Sequence, residues 1–180
     1  MNNFTELLKK VTTFIFDVDG VLTDSTMIFL PSPLGKGVMG EAVRRMNIKD
    51  GYALQFAVKK GYKIAIITGG RSETIKMRFN NLGINDVYTG VENKIAVFEE
   101  YITANDIKTE NVLYMGDDMP DYEVMQKAGV PTCPSDAVEE IKKLSKYISG
   151  KKGGDGCVRD VVEQTLKVQG KWFDIANHKW

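Results

Sequence analysis

Thr12-Thr13-Phe14-Ile15-Phe16-Asp17-Val18-Asp19-Gly20 sets an apolar run directly before two aspartates and a glycine. Aromatic and β-branched residues in such a run suit a strand covered on both faces. The carboxylates at its end do not belong in that core, so the chain must turn outward there. Two later stretches repeat the arrangement. Residues 63–68 (KIAIIT) lead into Gly69-Gly70-Arg71, and 111–115 (NVLYM) into Gly116-Asp117-Asp118-Met119-Pro120-Asp121. Shorter strands are expected at 86–88 and 130–133.

Segments of helical period lie between these runs. The spacing predicts helices over 49–60, ended by Gly61, and over 72–82, with Gly83 as the terminating residue. Further helices are expected over 93–105, over 119–128 (ended by Gly129), over 137–144 and over 158–168. Apolar strands alternating with helices, joined by right-handed crossovers, predict a doubly wound parallel α/β sheet. Ligands of such folds sit outside the carboxyl ends of the strands. Residues 26–46 break the pattern with Pro31, Pro33 and three glycines, and read as a projecting β-hairpin flap. The tail, about 170–180, is aromatic and basic.

The chain has 180 residues, 43% of them hydrophobic, which suits one domain over 1–180 with a substantial core. Lys plus Arg (24) balances Asp plus Glu (24), so the basic excess of a nucleic-acid binder is missing. Cys133 and Cys157 offer no disulfide framework and suit small apolar fillers. The first residues lack a signal-peptide apolar region, and no stretch reaches the roughly 18 apolar residues of a membrane span. A cytoplasmic protein without a membrane or nucleic-acid partner is expected.

A parallel sheet would bring the three strand ends to one edge, gathering Asp17, Asp19, Asp117, Asp118 and Asp121 in one crevice. Like charges at such range raise one another's pKa and call for a compensating cation. Oxygen donors alone suit magnesium, which shares its coordination with water and a phosphate. The only histidine, His178, lies in the tail, which argues against zinc. Two carboxylates two residues apart, in different surroundings, can divide labour between nucleophile and general acid. Gly20 removes side-chain bulk at the turn.

DVDGV at 17–21, Thr68 after a buried strand, Lys94 at a helix start and GDDMPD at 116–121 resemble, in order and spacing, the four motifs of the haloacid dehalogenase superfamily. That resemblance implies a phosphatase in which Asp17 attacks phosphorus and Asp19 protonates the leaving alcohol. It implies magnesium on the Asp17 carboxylate, the Asp19 carbonyl and the Asp117 carboxylate, with Asp118 and Asp121 in support. Thr68, Gly69 and Lys94 would bind the phosphoryl group.

The intervals between motifs have no room for a cap domain. DVDGVLTD at 17–24, MNIKDGYA at 46–53, AIITGGRS at 65–72, GDDMPDYEVM at 116–125 and GGDGCVRDV at 153–161 resemble one capless branch, the 3-deoxy-D-manno-octulosonate 8-phosphate (KDO 8-phosphate) phosphatases. The resemblance implies a homotetramer in which the flap helps build the ring and a neighbour's tail covers the site. It implies substrate contacts from Asn47, Lys49, Asp50, Gly51, Arg71 and Arg78. Departures lie at Gly70, where the family usually has arginine, at Lys49, which gives up arginine's planar fork, and in the long hairpin. They leave open a nine-carbon sugar acid 9-phosphate.

Plainer readings exist for single residues. Carboxylates complementing a helix dipole would account for Asp118 and Asp121 without chemistry, and Arg71 and Arg78 would serve as surface charges. Of other functional classes, a signalling receiver domain lacks an acid two residues after its phosphorylated aspartate, and a silent regulatory subunit would not need the full acidic set.

Overall fold

The computed structural model describes residues 4–31 and 39–172. Phe173, His178 and Trp180 of the tail and residues 32–38 of the flap lie outside them.

Six parallel strands form the sheet: β1 (Thr13–Phe16), β4 (Lys63–Ile67), β5 (Asp86–Tyr88), β6 (Val112–Met115), β7 (Val130–Cys133) and β8 (Tyr147–Ile148), in the order β5-β4-β1-β6-β7-β8. β2 (Ile28–Pro31) and β3 (Met39–Val43) pair antiparallel outside it, as the expected hairpin. The helices are α1 (Phe4–Leu8), α2 (Ile48–Lys59), α3 (Glu73–Asn80), α4 (Lys94–Ala104), α5 (Tyr122–Lys127), α6 (Glu139–Leu144) and α7 (Cys157–Val168).

The strands are buried on both faces because their side chains alternate across the sheet. Phe14, Phe16, Ile64, Ile66, Leu113 and Met115 face a core completed by Leu54 and Phe56 of α2, Phe79 of α3 and Val158, Val161 and Val162 of α7. Ile15, Ala65, Ile67, Val112 and Tyr114 face the opposite core, with Phe98 and Tyr101 of α4, Val124 of α5 and Ile141 of α6. Each face is worth tens of kcal/mol of apolar burial before chain entropy is set against it.

Register then delivers the polar strand ends. Phe16 pairs with Ile66 on one side and Met115 on the other. Asp17 therefore leaves the sheet level with the ends of β4 and β6, and its N–H still donates to the Met115 carbonyl (3.1 Å). The chain runs outward from β1 to β4 and β5, then returns to β6 on the other side of β1. The crevice opens where that direction reverses.

Three local readings are corrected. The helix expected over 119–128 is a 3-10 turn, Met119–Asp121, followed by α5. Pro120 lacks an N–H and is tolerated only in a first turn. The helix expected from residue 137 starts at Glu139. α1 and β8 were not foreseen. They are too short for periodicity to show and depend on tertiary contact, with Phe4 stacked on Tyr147 at 4.3 Å between centroids.

The Gly-rich segment before α7 braces the turn after β1. The Gly154 N–H donates to the Val21 carbonyl (2.9 Å). A Cβ on Gly153 would lie 2.0 Å from the Gly20 carbonyl oxygen and 2.9 Å from that of Thr23. Both obstacles are backbone and cannot rotate away. Gly153→Ala is expected to cost about 1–3 kcal/mol, as overpacking does, read as a lower urea midpoint at unchanged slope.

Candidate active site

Asp17 ends β1 and is 6% exposed. Its Oδ2 lies 2.9 Å from Lys94 Nζ. Lys94 opens α4, where a cation faces the wrong end of the helix dipole. It is nonetheless buried, its ammonium held by Asp17 and by Asp121 Oδ1 at 2.8 Å. Burial opposes that charge, yet the two carboxylates outweigh it and raise the Lys94 pKa. Asp121 Oδ1 also accepts from the Tyr114 hydroxyl (2.6 Å), and Oδ2 from the Asp117 N–H (3.1 Å). Asp121 is thus spent on positioning Lys94 and the Gly116–Asp117 turn.

Thr68 is buried at the end of β4, and its Oγ1 accepts from the Gly70 N–H (3.1 Å). That leaves the hydroxyl proton free to be donated. Asp118 is exposed, and its Oδ1 accepts from the Met119 N–H (2.7 Å). This is the helix-start reading, although Asp118 also lines the crevice.

Asp17, Asp19, Thr68, Gly69, Lys94, Asp117, Asp118 and Asp121 line one crevice of about 570 Å³, so every residue expected for chemistry, metal and phosphate meets there. Ser25, Met27 and Glu92 share the wall and were not foreseen; nothing in their sequence neighbourhood marks them.

The expected substrate residues sit elsewhere among the described residues. Asn47 caps α2, accepting from the Lys49 N–H (2.9 Å). Lys49 is exposed. Asp50 is buried against the start of α7, accepting from the Arg159 N–H (2.7 Å), and burial pushes its pKa up to about 6. Gly51 lies under Arg78, where a Cβ would be 2.3 Å from Nη2. Arg78 lines a second hollow of about 340 Å³, with Arg44 and Thr74. Arg71 is 80% exposed, 3.7 Å from Glu92.

A carboxylate oxygen from each of Asp17, Asp117 and Asp121 lies within 4.8 Å of the others. Asp17 Oδ1 and Asp117 Oδ1 are buried with no hydrogen-bond partner among the described residues. Burial, then the neighbouring carboxylate Asp121, pushes the Asp17 pKa up to about 7 despite Lys94. Burial, then Asp17 and Asp121, pushes Asp117 up to about 8. Gly20 lets this cluster close: its φ is +91°, and a Cβ would lie 1.9 Å from Asp117 Oδ2. Orphaned hard oxygens in a site short of positive charge fit a divalent cation such as magnesium.

The raised values give a sign. In the metal-free protein, stability from neutral Asp17 and Asp117 is full below pH 3.8 and lost as pH rises through about 7 to 8. The ionised forms are those that bind a cation. Magnesium is therefore expected to raise the melting temperature more at about pH 8 than at about pH 5.5. Scanning fluorimetry with magnesium or chelator reads this, and equal shifts at both values would count against these ligands.

Residues 51–134 match the family model for haloacid dehalogenase-like hydrolases. The 3-deoxy-D-manno-octulosonate 8-phosphate phosphatase KdsC of Escherichia coli K12 is 35% identical over 163 residues, 91% of this chain and 83% of that protein. The same phosphatase from Moraxella catarrhalis, solved in complex with magnesium ion, phosphate ion and KDO, matches with a TM-score of 0.87 and 31% identity over 96% of this chain and 95% of that one. The cobalt-bound enzyme from Haemophilus influenzae matches with a TM-score of 0.85 and 26% identity over 96% and 98%.

Proposed function

The chain belongs to the 3-deoxy-D-manno-octulosonate 8-phosphate phosphatases among the haloacid dehalogenase-like hydrolases, and from that premise we propose that it hydrolyses this ester to KDO and inorganic phosphate, with magnesium as cofactor. The observation that carries the reading is Asp17: a buried carboxylate on the crevice floor, with one oxygen on Lys94 and the other unpartnered.

A carboxylate oxygen of Asp17 attacks phosphorus, the bond from phosphorus to the sugar oxygen breaks, and that oxygen takes the proton of the Asp19 carboxyl. Water then attacks the aspartyl-phosphate at phosphorus and gives a proton to Asp19. The bond from phosphorus to Asp17 breaks, and both carboxyl groups return to their starting forms. Lys94 and the Thr68 hydroxyl face the phosphoryl oxygens, where charge must be balanced through both transfers. The Gly69 backbone, with no side chain in the way, lies beside them. Magnesium, held by the Asp17 and Asp117 carboxylates and the Asp19 carbonyl, would supply further positive charge to those oxygens. Asp121 acts through Lys94. Of the substrate set, Arg71, beside the crevice residue Glu92, and Arg78, in the second hollow, are the charged side chains proposed to meet the sugar acid. Gly51 acts through Arg78, and Asn47, Lys49 and Asp50 through the start of α2.

Asp17→Asn is expected to lower kcat for KDO 8-phosphate by about 10³ or more while the circular dichroism melt persists. Phosphate release near the unaltered rate would remove the nucleophile assignment. In the unaltered enzyme, kcat/KM on the eight-carbon ester is expected to exceed that on a nine-carbon sugar acid 9-phosphate.

We further propose that the chain works as a homotetramer joined through the hairpin. Met27, Ile28, Phe29, Leu30 and Val43 are each at least 41% exposed, an apolar surface that water disfavours. A neighbour seated there would close a crevice for which the described residues supply no cap domain. Phe29→Asp is expected to shift the light-scattering mass below that of a tetramer; an unchanged mass would count against this interface. A cytoplasmic location accompanies the reading. Cys133 and Cys157 are free and buried, as suits a reducing compartment, and no described helix is long and apolar enough to cross a membrane.

A further inference from the structure

Arg44 follows β3 directly, and its side chain is 8% exposed. Its Nε donates to Asp19 Oδ1 at 2.6 Å and its Nη2 to Oδ2 at 3.1 Å. Two contacts on two oxygens fix both the position and the rotation of a carboxyl group, which one contact would not. Gly70 leaves room for the pair. A Cβ there would lie 2.9 Å from Arg44 Nη2 and 3.1 Å from Asp19 Oδ2. Arg44 also lines the second hollow, beside Arg78. The side chain of Asp19 is 29% exposed and has no other hydrogen bond among those of the described residues, so the orientation of this group comes from the flap.

We propose that Arg44 is a positioning residue for leaving-group protonation: its guanidinium aims the Asp19 carboxyl at the ester oxygen and so ties that step to the seating of the hairpin. The inference rests on the phosphatase reading above. It assigns Arg44 no contact with phosphorus. Its effect therefore falls on the step in which the bond to the leaving oxygen breaks and that oxygen gains its proton.

Leaving groups separate this role from a structural one. The alkoxide of a sugar is a poor leaving group and needs the proton; a nitrophenolate leaves without it. Arg44→Ala is expected to lower kcat for the sugar acid phosphate by about 30-fold, less than the roughly 10²–10⁴-fold of general acid catalysis because Asp19 itself remains. It should change kcat for p-nitrophenyl phosphate by less than about threefold and KM for either by little. Arg44→Lys keeps the charge without the fork and is expected to show the same selectivity at smaller size, which serves if Arg44→Ala melts early. Arg45→Ala removes the neighbouring exposed pair with Asp24 (2.6 Å) and is expected to leave both rates unchanged.

Equal losses on the two esters in both Arg44 variants, or a change confined to KM, would overturn the proposal. Absence of magnesium-dependent hydrolysis of either ester by the unaltered enzyme would instead overturn the phosphatase reading on which it rests.

Discussion

Four groups at the carboxyl ends of three strands hold the site together: Asp17, Asp117 and Asp121, and the Lys94 ammonium between two of them. Three carboxylates in low dielectric with one ammonium leave negative charge uncompensated. Burial first, and that imbalance second, raise the pKa values of Asp17 and Asp117, and a divalent cation offsets both. The backbone accepts this arrangement because the sheet and its two apolar cores stabilise the chain elsewhere.

The surroundings of the cluster leave room for it to close. Gly20 turns with positive φ and leaves the space that Asp117 occupies. The segment before α7 packs its own glycines against that turn, so a distant part of the chain sets the position of the Asp17–Asp19 loop. Asp50 extends the same support, its carboxylate fastening the start of α7 to α2. It was read as a substrate contact because it sits in a recognisable stretch. Its burial shows a residue that holds two helices in place.

The hairpin joins two properties of the molecule. Its apolar side chains are exposed, while Arg44 at its base reaches back to Asp19. A projecting element that touches both would let assembly and chemistry depend on each other without a cap domain.

The five longer strands of the sheet, the main helices, the parallel sheet and the acidic edge, though not α1 or β8, were legible in the chain, because apolar period and strand-end polarity are local properties. So were Asp17, Asp19, Thr68, Lys94, Asp117 and Asp121, since each stands at a strand end or helix start that pattern alone locates. Arg44 was not, because nothing near it in sequence marks a partner 25 residues away. The division of work among the carboxylates was not legible either. Asp118 and Asp121 read alike as sequence, yet one caps a turn in solvent while the other is buried on Lys94 and Tyr114. Sequence determined which groups would reach the sheet edge; only the tertiary structure decided their roles, since burial and through-space partners depend on the packing of segments far apart in the chain.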